Sequence, residues 1–225
     1  MEYRYDLHVH TSEVSLCASS PAAEMVDMYK REGYTGILIT DHFLNGNTSV
    51  PREGIWEERV AMFCESYYRA KARGKEVGLD VFFGWEYSYR GTDLITLGLS
   101  PQWLHDHPEV LDWEIREYCD KAREAGGYII HAHPFLEASW GTYIRLFPRK
   151  IDAVEVINAC RDPFVNDRAA EYATAYDLTR TAGSDSHDSS WKTMGGILSP
   201  RRLTDEADLI ALLRSREHTP FSYNK

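Results

Sequence analysis

Cysteine is scarce in this chain. There are four in 225 residues, and no two form a C-x-x-C pair. Cys17, Cys64, Cys119 and Cys160 lie far apart, so they read as reduced thiols and not as a disulfide framework or a structural zinc cluster. No stretch approaches the roughly 18 uninterrupted apolar residues that a membrane span needs. The opening residues, MEYRYDLHVHT, contain no apolar signal-peptide core, so a cytoplasmic location is expected. Basic charge is also in short supply, with 25 Lys and Arg against 35 Asp and Glu, a net charge of −10. The basic pair Arg201-Arg202 is too short to offset this, so nucleic acid is not an expected partner. Linkers, low-complexity tracts and internal repeats are missing as well. Residues 1–225 therefore read as a single domain with a sizeable core.

What the chain does have is an alternation of strand-like and helix-like segments. Residues 3–9 read as a strand, and Ser20-Pro21 as the N-cap and first-turn proline of a helix ending near Gly33. Residues 36–40 (GILIT) form a short apolar run typical of a buried parallel strand. Residues 56–73 read as a long helix stopped by Gly74, and 79–83 and 94–99 as strands. A helix over 112–125 precedes strands at 128–133 and 153–157, then a helix around 168–176 and a strand-like pair at 181–182. A final helix starts at Thr204, with Asp205 and Glu206 in its first turn. Repeated strand–helix units imply an α/β fold with a parallel sheet, wound open or closed into a barrel.

Ligand-type side chains gather at the carboxyl ends of these strands. His8-Val9-His10 places two imidazoles on one strand face, because residues two apart point the same way. Two hydrogen-bonded histidines would give the same triplet. Thr40-Asp41-His42 directly follows GILIT, a position that an Asx turn also explains. Glu86 stands among aromatic and apolar residues in FFGWEYS, where a carboxylate requires cationic partners or a metal. YIIHAHPF carries His131 and His133, again two apart. TAGSDSHDS brings Asp185 and His187 together behind small residues, although a simple turn also fits it.

The joint occurrence at five strand ends is the informative feature. In a barrel those ends form one rim, and that rim is where such folds do chemistry. His105, His107 and His218 fall in helix or loop contexts and read as surface residues. The mixture of nitrogen and oxygen donors suits zinc, manganese or iron. It also exceeds what one tetrahedral ion needs, so two or three divalent ions are expected.

The series DLHVHT, ITDHF, GWEYS, HAHPF and AGSDSH resembles the PHP family, the polymerase and histidinol phosphatase superfamily of phosphoesterases. The resemblance spans nearly the whole chain in the right order. It implies a distorted (β/α)7 TIM-like barrel with a trinuclear metal site at the strand carboxyl ends. It further implies that His8, His10, Glu86 and Asp185 hold the first ion, with Glu86 bridging to another. His42 and His187 would serve a second ion, and Glu86 and His133 a third.

The chain departs from the family pattern twice. Members often carry a histidine or aspartate a few residues after the first H-x-H, where Glu13 and Leu16 stand here. Members also often carry a histidine in the strand after the glutamate motif, where GTDLITLGL offers Asp93. Glu13 and Asp93 are the expected substitutes, and carboxylates there would favour manganese or iron over zinc. His131 is then either a ligand or a residue standing behind one.

The implied activity is hydrolysis of a small-molecule phosphomonoester by a metal-activated hydroxide, in line and without a covalent intermediate. Asp185 and His187 are the candidates for protonating the leaving alkoxide, although a metal ligand does not easily do both jobs. Arg90, Arg161 and Lys192 are candidate phosphate anchors, since each follows a strand end or ligand motif. Each also reads as a solvated surface charge. Two other readings compete. An amidohydrolase-type barrel acting on a C–N bond also begins with H-x-H and ends with an aspartate, but commonly uses a carboxylated lysine where Glu86 stands. A metal-bound regulatory module without turnover would be expected to lack some of these ligands.

Overall fold

The apolar runs become strands: β1 (Tyr3–Val9), β2 (Gly36–Ile39), β3 (Asp80–Tyr89), β4 (Thr92–Leu97), β5 (Tyr128–Ala132), β6 (Ala153–Asn158) and β7 (Thr179–Gly183). Two further strands, β8 (Thr193–Ser199) and β9 (Thr219–Asn224), fall where glycine and proline blur the sequence pattern. The helices are α1 (Ala22–Arg31), α2 (Trp56–Val77), α3 (Pro101–Asp106), α4 (Ile115–Glu124), α5 (Pro163–Ala175) and α6 (Glu206–Ser215). The structure is a computed structural model and describes residues 2–137 and 143–224.

The strands form one sheet in the order β7-β6-β5-β4-β3-β2-β1-β8-β9. Strands β1, β2 and β3 run parallel, as do β5, β6 and β7. β4 is antiparallel to both of its neighbours. The free edge of β1 is shared. Its first half pairs with β8, while beyond it the chain leaving β7 returns to close the ring. There Asp185 N donates to His8 O at 2.9 Å and His10 N donates to Ser186 O at 3.0 Å. The result is a distorted seven-stranded barrel with β8 and β9 outside it. The expected strand–helix repeat is broken by the β3–β4 hairpin, and among the described residues no helix separates β5 from β6 or β7 from β8.

Side chains inside the ring form an apolar layer: Tyr5, Leu7, Leu38, Phe82, Leu97 and Ile130, completed by leucines of α6. A second layer, including Met25, Tyr29, Phe63 and Tyr118, packs helices against the outer face of the sheet.

Three expected helix ends move. Asp205, not Thr204, caps α6, accepting from Asp208 N at 2.8 Å. α1 has no side-chain cap from Ser20 or Pro21. The Glu13 carboxylate takes that place, accepting from Ala22 N at 2.9 and 3.1 Å. α2 continues through Gly74 and ends at Gly78, whose left-handed φ of +74° lets its N–H bond back to Gly74 O at 2.8 Å.

Gly74 is instead a contact point between α2 and the chain entering β3. A Cβ there would lie 2.6 Å from Leu79 O and 2.8 Å from Val81 Cγ2. Alanine in place of glycine ordinarily stabilises a helix by about 1 kcal/mol. Overpacking against a backbone carbonyl costs about 1–3 kcal/mol and outweighs it. Gly74→Ala is therefore expected to lower the urea midpoint. A raised midpoint would show that the α2–β3 junction yields.

Candidate metal centre

The site begins with an irregularity in β1. Asp6 pairs with Ile37 but Val9 pairs with Ile39, so β1 takes up one extra residue between them. Asp6 thus reaches outward to α1, accepting from Tyr29 OH at 2.7 Å, and Val9 joins the outer layer. Leu7 belongs to the inner layer, and His8 stands in the ring above it beside Glu86 and Asp185. β6 has a similar shift between Glu155 and Ile157, and Asn158 Nδ2 donates to Glu155 Oε2 at 3.0 Å.

Seven side chains converge here. His8 Nε2 lies 3.1 Å from His10 Nε2, 3.3 Å from Glu86 Oε1 and 3.5 Å from Asp185 Oδ1. His10 Nε2 is 3.4 Å from Asp185 Oδ1 and 3.5 Å from Glu86 Oε2. His133 Nε2 is 3.2 Å from Glu86 Oε1, and His42 Nδ1 is 2.7 Å from Glu86 Oε2. Three groups have donor atoms within 4.8 Å of one another: His8, His10 and Asp185; His8, Glu86 and His133; and His10, His42 and His187.

The far side of each ring sets which nitrogen faces inward. His8 Nδ1 donates to Glu155 Oε1 at 2.9 Å, and His187 Nδ1 donates to the Asp185 carbonyl at 2.7 Å. Ser15 Oγ donates to Asp41 Oδ1 at 2.7 Å, so the 3.1 Å contact from His10 Nδ1 must carry the histidine's proton. The Nε2 atoms of His8 and His10 consequently face each other. Two ring nitrogens at 3.1 Å need a proton or a cation between them.

The carboxylates tell the same story. Glu86 and Asp185 are 1% and 2% exposed. Burial opposes their ionisation. His42 and His8 around Glu86, and chiefly His8 around Asp185, outweigh it and hold both well below the usual carboxylate range. Burial also opposes charging His8, but Glu155, Asp185 and Glu86 raise its pKa well above the ordinary value. His10, buried and facing His42, is lowered to about 3. Glu86 Oε2 and His42 Nδ1 are buried and lack hydrogen-bond geometry despite lying 2.7 Å apart. Unpartnered donors and acceptors aimed at one point, in this mixture of nitrogen and oxygen, fit divalent metal ions.

Not every expected residue lies here. Glu13 is engaged at the start of α1, because a helix N-terminus attracts a carboxylate. Asp93 lines the cavity above the centre, where burial and then Glu86 raise its pKa, but it is in none of the three groups. It reaches the rim because β4 is reversed. His131 bonds Thr92 Oγ1 at 2.9 Å and packs toward Phe147 and Tyr172, away from the centre. The two-apart pattern fails because β5 ends at Ala132 and His133 turns to φ +26°. Lys192 is exposed and outside the cavity lining, whereas Arg90 and Arg161 line it. Arg161 Nη2 donates to Asp185 Oδ2 at 2.6 Å. His107 and His218 bond backbone carbonyls elsewhere.

The sequence reading passed over Glu155, Ser15, Arg52 and Cys17. Glu155 in AVEVIN, an acid inside an apolar strand, carried the same signal as Glu86. The Cys17 thiol lines the cavity with His187 and His42; burial raises its pKa, but these imidazoles bring it down to about 6.

No protein-family model matches the chain. It is 29% identical over 174 residues to the uncharacterized protein MJ1587 of Methanocaldococcus jannaschii, covering 73% of this chain and 87% of that one. Among solved structures it resembles a two-domain Bacteroides vulgatus protein containing a predicted PHP-like metal-dependent phosphoesterase, with TM-score 0.75 and 15% identity. That match covers 98% of this chain, which spans 65% of the Bacteroides protein. An amidohydrolase from Chromobacterium violaceum, solved with sulfate and no metal, matches with TM-score 0.56 and 14% identity over 94% of this chain and 96% of that one. These structural likenesses establish the barrel fold that the chain shares with them.

Glu155 tests the geometry. Its Oε1 orients His8, while its Oε2 accepts from His133 N and Asn158 Nδ2, both at 3.0 Å. Glu155→Gln sets an amide donor against donors, and zinc affinity should fall roughly 10- to 100-fold in a chelator competition titration. Unchanged affinity would mean that His8 is oriented by other contacts.

Proposed function

We propose that this chain, built on a PHP-like barrel, is a metal-dependent phosphoesterase that hydrolyses a small phosphomonoester. The observation that carries this reading is the pair of ligand groups sharing His8, one with Glu86 and His133 and the other with His10 and Asp185, whose Glu86, His133 and Asp185 line a cavity of about 870 Å³. Zinc, manganese or iron held there would activate water at neutral pH and neutralise phosphoryl oxygens.

The surrounding residues suit an anionic substrate. Arg52, Arg90 and Arg161 line the cavity of a chain that is otherwise strongly acidic. Arg161 keeps one N–H on Asp185, and a guanidinium with five donors has others to offer a phosphoryl oxygen. Trp191 and Leu136 on the same lining leave room for an apolar leaving group. Asp185 is held ionised, and His187 gives its Nδ1 proton to the Asp185 carbonyl, which leaves Nε2 to face the centre. We therefore assign both to holding the centre, with the leaving oxygen protonated from solvent in the cavity. The amidohydrolase reading calls for a lysine at the centre, and no lysine is among the described residues lining the cavity.

Chelation should abolish hydrolysis of an aryl phosphate, and zinc, manganese or iron should restore it. Glu86→Gln should lose metal and turnover together, since its two oxygens face different histidines. Full activity in metal-free protein would overturn the reading. Separately, Arg161→Ala should lower kcat/KM about 10- to 100-fold, the worth of one charged hydrogen bond. Lys192→Ala should leave kcat/KM unchanged, and equal losses in the two variants would remove Arg161 from the role of anchor.

A further inference from the structure

The loop after β1 brings a thiol to the edge of the centre. Leu16 N donates to Asn47 O at 3.0 Å, in the loop that follows His42. Ser19 N donates to the carbonyl of His187 at 2.8 Å, and Ala18 N to Ser15 O at 3.0 Å. Cys17 is thus pinned between the segments that carry His42 and His187. It lines the same cavity as His42 and His187.

The thiol does not stand alone. His42 and His187 already form a ligand group with His10. Glu86 Oε2, buried and without hydrogen-bond geometry, lies 2.7 Å from His42 Nδ1. His10 Nε2 is also shared with His8 and Asp185, so the outer group has two imidazoles of its own and lacks a further donor. Glu13 does not provide it, because its carboxylate caps α1.

We propose that Cys17 supplies this donor, its sulfur joining His42 and His187 as a ligand of the outermost ion of the centre. The inference rests on the metal-centre reading above. A thiolate is a soft ligand, so the outer position prefers zinc or iron(II) to manganese, opposite to what a carboxylate there would select.

Cobalt(II) loading of the full chain tests this. Thiolate ligation gives a near-ultraviolet sulfur-to-cobalt charge-transfer band, expected in the unsubstituted chain and in Cys160→Ser but lost in Cys17→Ser. Cys160 is the control because its Sγ lies 3.6 Å from Asp185 Oδ2. Cys17→Ala should lose about one ion of the set, and Cys17→His should keep that ion without the band. Cys17 is exposed, so these variants should fold, and iodoacetamide should label it after chelation but not after loading. Cobalt uptake with no band and equal labelling would overturn the proposal and leave the metal centre standing. A band that survives in Cys17→Ser would also overturn it. No uptake of any ion would overturn both.

Discussion

Imidazole nitrogens and buried carboxylates crowded at one end of the barrel govern this structure. Around the centre, every proton that the surrounding contacts fix is turned away from it: His8 toward Glu155, His10 toward Ser15, His187 toward a backbone carbonyl. What remains inside is a set of imidazole nitrogens with two almost fully buried carboxylates. Burying such charge without compensation is costly. A cation shared among these groups turns the same arrangement from a liability into a binding site, and couples its uptake to proton release and to stability.

The barrel makes room for this cluster by stacking two layers within one ring. The lower layer is apolar and completed by α6; the upper is the ligand set. Strict alternation along β1 would not place Leu7 and His8 in the same interior, and the irregularity between Asp6 and Val9 allows it. Gly183 permits the closing strand to approach, since a Cβ there would lie 2.8 Å from Glu155 Oε1 and closer still to His8 Cβ. His133 and Asp185 both hold positive φ, a conformation costing about 1–3 kcal/mol per residue and maintained by the packing around it.

The reversed strand β4 shapes the cavity more than the floor. Running antiparallel, it brings its amino end, with Asp93, to the rim where its parallel neighbours end. The hairpin tip beside it carries Arg90, and the loop after β6 carries Arg161. A fold of repeated parallel units thus acquires an asymmetric wall, with acid on one side and guanidinium groups on others.

Strand ends and ligand types were legible in the sequence because both are local. An apolar run followed by His, Asp or Glu marks a buried strand that ends at a polar site, and β1, β2, β3 and β5 each show it. Composition also set the net negative charge of the chain. The rest depended on segments distant in the chain. His131 and His133 share one motif yet face opposite ways, because a single positive φ after β5 breaks the alternation. Glu13 reads as a ligand until α1 packs close enough for its first N–H to claim it. Glu155 meets His8 across 147 residues, and Cys17 meets His187 only once β7 has closed the ring on β1. Local sequence encodes burial and strand parity. Which side chains share a point in space is decided by register shifts, strand reversal and ring closure, and these exist only after the segments have packed.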